Sequence, residues 1–329
     1  MSEIEILSVS ETEKETLHKL YSTFRDQGQS YIKTSPGNCV LPAAYEKFKD
    51  RIHNLQLRSD DVFVLTWVKN GTTWTQEMVW CLQNNCDFQT AKRINTLERV
   101  PFLESSSIFD FLSKNMPPNF PSVASVSLVE EMKSPRVVKS HLPYCLLPGK
   151  ILDECKVVTC IRNPKDTLVS MFHHEKLLNF VNFGGDFAEF FDLFMNNLVI
   201  FSPYWEYTLE AWNRRDHPNL CLLFFEDLKK DLEGNVRKVA KFLQKDLTDS
   251  KVVELAEHLS FKNMKKMATP YEDERRAIVF NKADDKSASF YRKGVAGDWR
   301  NYFTEEMSKR MDERIEQYFG GTGLEFKYD

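Results

Sequence analysis

A strand–turn–helix signal early in the chain constrains the fold more than any other sequence feature. Residues 63–67 form a β-branched and aromatic run that ends just before a turn containing Gly71, as a buried strand would. The stretch from Thr72 to Cys86 then carries apolar residues at helical spacing. A strand that runs through such a turn into a helix predicts an α/β fold, and the backbone N–H groups of the turn favour an anion.

Further apolar runs repeat this alternation along the chain. They lie at 136–139, 156–161 and 220–225, and helical patterns occupy 11–33, 165–180, 186–215 and 232–245. A Ser- and Pro-rich stretch at 105–135 predicts a long surface loop. Strands that alternate with helices predict a single α/β domain with a central parallel sheet flanked by helices. In such sheets ligands bind at the edge where the strands end.

Composition excludes several classes of protein. With 329 residues, 42% of them hydrophobic, and a net charge of -4, the chain can bury a large core and is not disordered. Seven cysteines form no CxxC pair and no cluster at zinc spacing, which predicts reduced thiols and no metal site. No run of 18 apolar residues and no signal-peptide pattern occurs. We therefore expect a cytoplasmic protein that binds neither membrane nor nucleic acid.

The charge is nevertheless uneven. Residues 261–300 carry ten Lys or Arg against six Asp or Glu, a local excess of +4 that predicts an anionic ligand nearby. The turn Lys69-Asn70-Gly71-Thr72-Thr73-Trp74 also suits an anion, but its lysine precedes the glycine, unlike the Mg²⁺-nucleotide loop GxxxxGK[ST]. Taken alone, this turn is weak evidence for an anion site, because an ordinary strand-to-helix connection with a solvated lysine has the same pattern.

Three further segments carry chemistry-bearing residues at predicted strand ends or within the basic region. Residues 137–143 contain Lys139-Ser140-His141, residues 156–170 contain Arg162 and Ser170, and residues 290–299 read FYRKGVAGDW. Together with the glycine turn they resemble, in order and spacing, the four signatures of the cytosolic sulfotransferase family, including an insect member that dehydrates retinol. The resemblance covers roughly residues 45–315. It implies an N-terminal extension at 1–40 and a sulfotransferase domain at 41–329.

The resemblance implies a P-loop-like site for 3′-phosphoadenosine 5′-phosphosulfate (PAPS) and a product, adenosine 3′,5′-bisphosphate (PAP). The sulfuryl group would go to a hydroxyl or amine of a small, mostly apolar acceptor such as a phenol, a steroid or another alcohol, without a metal. The residues implied to bind the nucleotide are Lys69, Asn70, Gly71, Thr72, Thr73, Trp74, Arg162, Ser170, Phe225, Leu259, Ser260, Phe261, Lys262, Asn263, Met264, Phe290, Tyr291, Arg292, Lys293 and Gly294.

Catalytic roles follow from the same resemblance. His141 would act as general base, Lys69 would stabilise the leaving phosphate, and Lys139 would bind the transferring group. The acceptor would contact Phe102, Lys139, Ser140, His141 and Phe172.

Other interpretations stay open on sequence grounds. One is a retinol dehydratase-type reaction, in which sulfation leads to dehydration. A second is an apolar-ligand carrier, since the 180–205 region is rich in Phe. A kinase is disfavoured by the position of Lys69 and by the second basic set. Whether the protein forms a homodimer also stays open. The family usually carries a dimer motif near the C-terminus, and Arg300, Glu305 and Lys309 depart from it.

Overall fold

The computed structural model describes residues 3–23, 30–110, 124–268 and 289–328. Part of the predicted loop (111–123) and half of the basic stretch (269–288) lie outside the described residues. In the described part of the chain, no helix has both the length and the apolar character needed to span a membrane.

The strands of the described ranges form two sheets. They are β1 Glu5–Ser8, β2 Tyr31–Ser35, β3 Val40–Pro42, β4 Val62–Leu65, β5 Val137–Ser140, β6 Lys156–Ile161 and β7 Leu220–Phe224. The first three pair antiparallel in the order β1-β2-β3, and the other four pair parallel in the order β5-β4-β6-β7. In the parallel sheet Leu65 lies opposite Ser140 and Thr159, so the three strands end at one edge.

Helices connect and cover the strands. Within the described residues they are α1 Glu11–Leu20, α2 Lys49–His53, α3 Thr72–Gln83, α4 Phe88–Arg93, α5 Thr96–Arg99, α6 Ser105–Ile108, α7 Ser125–Glu131, α8 Ile151–Glu154, α9 Pro164–Leu177, α10 Phe187–Met195, α11 Tyr204–Asn213, α12 Phe225–Lys230, α13 Leu232–Phe242, α14 Asp249–His258, α15 at 261–268 and α16 Glu305–Phe319. Short 3₁₀ turns occupy Ala43–Lys47, Tyr144–Leu146 and Asp298–Asn301.

Alternate residues of the parallel strands serve two apolar cores, one on each face of the sheet. Val62 and Val64 pack with residues of α3, α13 and α14, whereas Phe63 and Leu65 pack with α9, α10, α11 and the N-terminal segment. Both faces of the sheet are therefore covered, which explains why these strands read as continuous apolar runs. The predicted α/β fold with a central parallel sheet is confirmed.

The N-terminal residues pack against the same core as the sheet. Ile4, Leu17, Tyr21 and Tyr31 are buried, and β3 crosses the predicted boundary at residue 40. That boundary stays a prediction.

Three element predictions are wrong in detail. A helix is expected over 11–33, but α1 ends at Leu20, and residues 31–33 of the expected range belong to β2. The pattern at 186–215 is two helices, because the chain turns through positive φ at Asn197 and Phe201 before Pro203. The stretch 105–135, expected to be a loop, contains α6 and α7. Ser105, Ser106 and Ser125 at the starts of these helices are buried. The backbone N–H of Ser105 donates to the Phe102 carbonyl, Ser106 and Ser125 bond each other, and the Ser125 hydroxyl donates to the Leu103 carbonyl.

Candidate active site

The turn after β4 builds an anion-binding helix end. Lys69 and Gly71 have φ of 66° and 87°, and a Cβ on Gly71 would lie 3.0 Å from the Phe225 ring, so glycine is required there. Gly71 is the N-cap of α3, and no side chain among the described residues caps this helix. The first backbone N–H groups of α3 and its dipole are therefore available to a phosphate-like group.

His141 lies just past β5 with one ring nitrogen fixed. Its Nδ1 is 2.6 Å from the backbone carbonyl of Thr66, which can only accept, so Nδ1 carries the proton and donates. Burial, together with the charges of Lys139 and Lys69, holds the pKa of His141 well below its ordinary value of 6.5. The ring is therefore neutral at pH 7, and Nε2 is free of a proton.

Two lysines flank this histidine, each over an aromatic ring. Lys69 Nζ is 3.8 Å from the centroid of Phe290, and Lys139 Nζ is 3.8 Å from the centroid of Phe102. Burial lowers the pKa of Lys139 from 10.5, and the neighbouring carboxyl of Glu104 opposes that shift. This part of the site thus combines two cations with a neutral imidazole.

Glu104 is a site residue that the sequence did not reveal. It is fully buried, and its Oε1 accepts the backbone N–H of His141 at 2.6 Å. Burial raises the pKa of Glu104, while the hydrogen bond from His141 and the charge of Lys139 oppose that rise. No motif marks this lone Glu, and the Thr66 carbonyl is a backbone group without a sequence signal.

A second basic group lies at the ends of β6 and of the 290–294 segment. Arg162 donates to the Lys69 and Val295 carbonyls at 3.3 and 3.2 Å, while its buried Nε finds no hydrogen-bond partner among the residues that the structure describes. Arg292 and Lys293 both pair with Asp298, at 2.7 and 2.8 Å. An anion at this point would satisfy the guanidinium of Arg162.

Asp166, another residue without a predicted role, holds this segment in place. Its carboxylate accepts the backbone N–H groups of Gly297 and Trp299 at 2.7 and 3.0 Å. It also accepts from the side chain of Asn163 at 3.0 Å. The start of α9 is therefore tied directly to the chain that follows Arg292 and Lys293.

Aromatic side chains line the space between the two basic groups. Trp74 meets Phe225 edge-on with centroids 5.9 Å apart, and its buried indole N–H has no hydrogen-bond partner in the described ranges. Phe261 meets Tyr291 edge-on at 6.2 Å. A Cβ on Gly294, whose φ is 64°, would collide with the Phe261 ring. The unpartnered N–H donors of Trp74 and Arg162, together with the flat aromatic surfaces, suit a purine nucleotide.

One cavity of about 830 Å³ connects these groups. The predicted site residues that line it are Lys69, Gly71, Thr72, Thr73, Trp74, Phe102, Lys139, His141, Arg162, Ser170, Phe225, Leu259, Phe261, Met264, Phe290, Tyr291, Arg292, Lys293 and Gly294. A further part of its wall is mainly apolar and includes Ile108, Phe109, Met171, Leu178, Phe180 and Val181. The cavity therefore joins a basic, aromatic compartment to an apolar one.

Six predicted residues do not line this cavity. Asn70 is buried and accepts from Thr167 at 2.8 Å, Ser140 accepts the backbone N–H of Leu142 at 3.0 Å, and Phe172 packs on Phe183, Phe187 and Phe190. Ser260 accepts the Asn263 N–H at 3.4 Å, the Asn263 amide donates to Glu257, and Lys262 is exposed. In this structure each of the six forms a local hydrogen bond, packs against other rings or is exposed to solvent.

A group of possible metal ligands lies beside the cavity. Glu77, Cys81 and His258 bring ligand atoms within 4.8 Å of one another. Glu77 is already engaged, however, since it pairs with Arg99 at 2.6 Å and with His258 at 2.8 Å. The group is explained by this buried ion pair and its hydrogen bonds.

Comparisons with known proteins agree with this geometry. The sulfotransferase domain model matches residues 59–323. Luciferin sulfotransferase from Photinus pyralis is 32% identical over 89% of this chain and 81% of its own, and bovine sulfotransferase 1E1 (Bos taurus) is 32% identical over 86% and 92%. Crystal structures of retinol dehydratase, with PAP and either androsterone or retinol, superpose with a TM-score of 0.89 at 32% identity, covering 99% of this chain and 98–99% of theirs. The chain therefore belongs to the PAPS-dependent sulfotransferase family.

Proposed function

We propose that this enzyme transfers the sulfuryl group of PAPS to a hydroxyl group of a small, mostly apolar acceptor, giving a sulfate ester and PAP. The observation that carries the proposal is the fixed, neutral His141, whose Nδ1 is 2.6 Å from the Thr66 carbonyl beside two cavity lysines. An amine acceptor would use the same base.

The nucleotide would occupy the basic, aromatic compartment. The backbone N–H groups at the start of α3 and Lys69 would hold the 5′-phosphosulfate, since this helix end lacks a side-chain cap. Arg162, Ser170, Arg292 and Lys293 would hold the 3′-phosphate, and the unpartnered Nε of Arg162 supports this role. Trp74 and Phe261 would contact the adenine.

His141 would take the acceptor's proton at Nε2. Its low pKa means that the unprotonated form needed by a general base is present at neutral pH without prior deprotonation. Lys69 would stabilise the charge that develops on the phosphate oxygen, and Lys139 would bind the sulfuryl oxygens. Both charges act within a buried cavity, where electrostatic interactions are stronger than in water.

The apolar compartment supports an apolar acceptor. Phe102, Phe109, Phe180 and Phe201 contribute rings to its wall. Because retinol dehydratase superposes over 99% of this chain, sulfation followed by loss of the sulfate and a proton is the second candidate reaction. Mass spectrometry distinguishes the two, since a sulfate ester is heavier than the acceptor and a dehydrated product is lighter.

Two measurements test the proposal. PAP should raise the melting temperature more than adenosine 5′-monophosphate does, because the two nucleotides differ only in the 3′-phosphate. Purified protein should then form a product from PAPS with at least one member of a panel of phenols, steroids, amines and retinoids. Equal shifts from both nucleotides would contradict the assigned 3′-phosphate site. A PAP-binding protein with no turnover on the panel would instead favour the carrier.

A further inference from the structure

Glu175 is a buried acid in the wall of the apolar compartment, and the proposed reaction does not use it. Met171, His174 and Glu175 in α9, with Leu178 directly after it, follow the spacing of a single helix face, and all four line the cavity. Ser170, assigned above to the nucleotide, precedes Glu175 by five residues, which is ~7.5 Å along a helix. Glu175 therefore belongs to the acceptor compartment.

Only one of the two carboxyl oxygens of Glu175 has a hydrogen-bond partner among the described residues. The side chain is 1% exposed, and its Oε2 accepts a hydrogen bond from Tyr21 at 2.6 Å. Its Oε1 is buried and has no hydrogen-bond partner within the described part of the chain. Burial raises the pKa of Glu175 to about 7, with the Tyr21 hydrogen bond opposing the rise. A buried carboxyl oxygen without a partner is costly, so its persistence in a cavity wall points to a ligand.

Tyr21 is itself held firmly, which fixes the position of Glu175. Its ring is fully buried and lies 5.2 Å from that of Phe183. Leu20, next to it, accepts the Gly184 N–H at 2.8 Å, and Thr23 donates to the Val181 carbonyl at 3.0 Å. The N-terminal segment thus braces the wall of the acceptor compartment around the acid.

Glu175 also lies apart from the reacting centre. Its carboxyl is held by Tyr21 of the N-terminal segment, whereas the His141 ring is held by the Thr66 carbonyl just after β4. The two side chains therefore stand on different elements of the cavity wall, α9 for Glu175 and the chain after β5 for His141. An acceptor that reaches both would meet them with two different groups.

We propose that Glu175 anchors a second hydroxyl group of the acceptor, so that the preferred substrates are apolar diols in which one hydroxyl receives the sulfuryl group. This inference rests on the proposed function. A hydroxyl fits because it can donate to an ionised Oε1 and accept from a protonated one. An ammonium would need to be desolvated among Leu178, Phe180 and Val181, and a carboxylate would meet a second acid.

Matched acceptors test the anchor. We would measure kcat/KM for decane-1,10-diol and decan-1-ol, whose flexible chains adapt to the cavity, and for 5α-androstane-3β,17β-diol and 5α-androstan-3β-ol. We expect the wild-type enzyme to prefer the diol of at least one pair by about 10-fold or more, mainly through KM. Glu175→Met should reduce that preference to about 2-fold, the statistical advantage of two reactive hydroxyls. The ratio within one preparation does not depend on how much of the variant is folded.

Two further variants separate the anchor from a change of shape. Glu175→Gln keeps a group that donates and accepts, so it should retain part of the diol preference. Met171→Leu alters the same helix face without removing a polar group, and it should keep the wild-type ratio. A ratio that is the same in the wild type and in Glu175→Met would overturn the inference.

Failure of the proposed function would be recognised separately. If PAPS yields no product with any acceptor, we would titrate the same diols and mono-ols into the PAP-loaded protein by calorimetry. Tighter binding of the diol that disappears in Glu175→Met would support the anchor even then. Equal affinities in both proteins would overturn it.

Discussion

Replacing Gly294 by Ala should damage the nucleotide site in a way that a matched glycine does not. Gly294 has φ of +64°, and an added Cβ would overlap two atoms of the Phe261 ring and lie 3.1 Å from a third. Gly321 has a similar φ of +74°, but a Cβ there would meet nothing within 4 Å. The two substitutions share the backbone strain and differ in the contact with Phe261.

The structure gives the size of each effect. A left-handed conformation costs an alanine ~1–2 kcal/mol, so both variants should lose comparable stability. Carbon atoms pack at ~3.5–4.0 Å, so only Gly294→Ala must displace the Phe261 ring, by roughly 1 Å. If Phe261 contacts the adenine, loss of good stacking costs ~1–3 kcal/mol, which corresponds to about 5- to 150-fold weaker PAP binding.

Calorimetric titration of PAP into both variants and the wild type provides the test. We expect Gly321→Ala to bind PAP with wild-type affinity and Gly294→Ala to bind it about 5- to 150-fold more weakly. Thermal unfolding without nucleotide checks that the two variants are destabilised to a similar degree. Equal PAP affinity in the two variants would refute the role of Phe261 and the link between Gly294 and the nucleotide.

Three further predictions concern the reacting groups. His141→Ala should lower turnover by ~10²-fold or more with PAP affinity nearly unchanged, and near-normal turnover would mean that another group is the base. Lys69→Ala should weaken both PAP binding and turnover, because its charge acts on bound and reacting phosphate alike; a loss confined to kcat would contradict this. Turnover should fall as pH rises through the pKa of Lys139, which burial lowers below 10.5, and Glu104→Gln should move that fall to lower pH because a negative charge that favours protonated Lys139 is removed. A pH–rate profile measures this shift, and an unmoved alkaline limb would exclude the coupling.

Much of the fold could be predicted because its signals are local. The four parallel strands are fully covered on both faces, so each appears as a run of apolar or β-branched residues, such as Val157 and Val158 in β6. The turn at Gly71 and the cavity residues His141 and Arg162 come shortly after those runs in the sequence, and Lys139 is the third residue of β5. Residues that end neighbouring parallel strands meet at one edge, so their convergence required no knowledge of long-range contacts.

Other parts of the site depend on contacts between distant residues. Glu104 reaches the backbone of His141 across 37 positions, and Tyr21 reaches Glu175 across 154. Neither pair has a motif, because each contact depends on how separate elements pack. The role of Tyr21 could not be predicted either, because the sequence predicts a helix over 11–33 and does not indicate that the helix ends just before this residue.

Lys139 and His141 keep opposite protonation states because their partners differ, Glu104 for the lysine and the Thr66 carbonyl for the imidazole. Lys139 and His141 lie two positions apart at the end of β5, and the proposed reaction needs the first charged and the second neutral. Glu104 hydrogen-bonds the backbone of His141, and its charge favours protonated Lys139. The imidazole instead meets the uncharged carbonyl of Thr66. A carboxylate on the ring would favour the imidazolium and remove the base, so the choice of partner is what makes this pair suited to proton abstraction beside a bound anion.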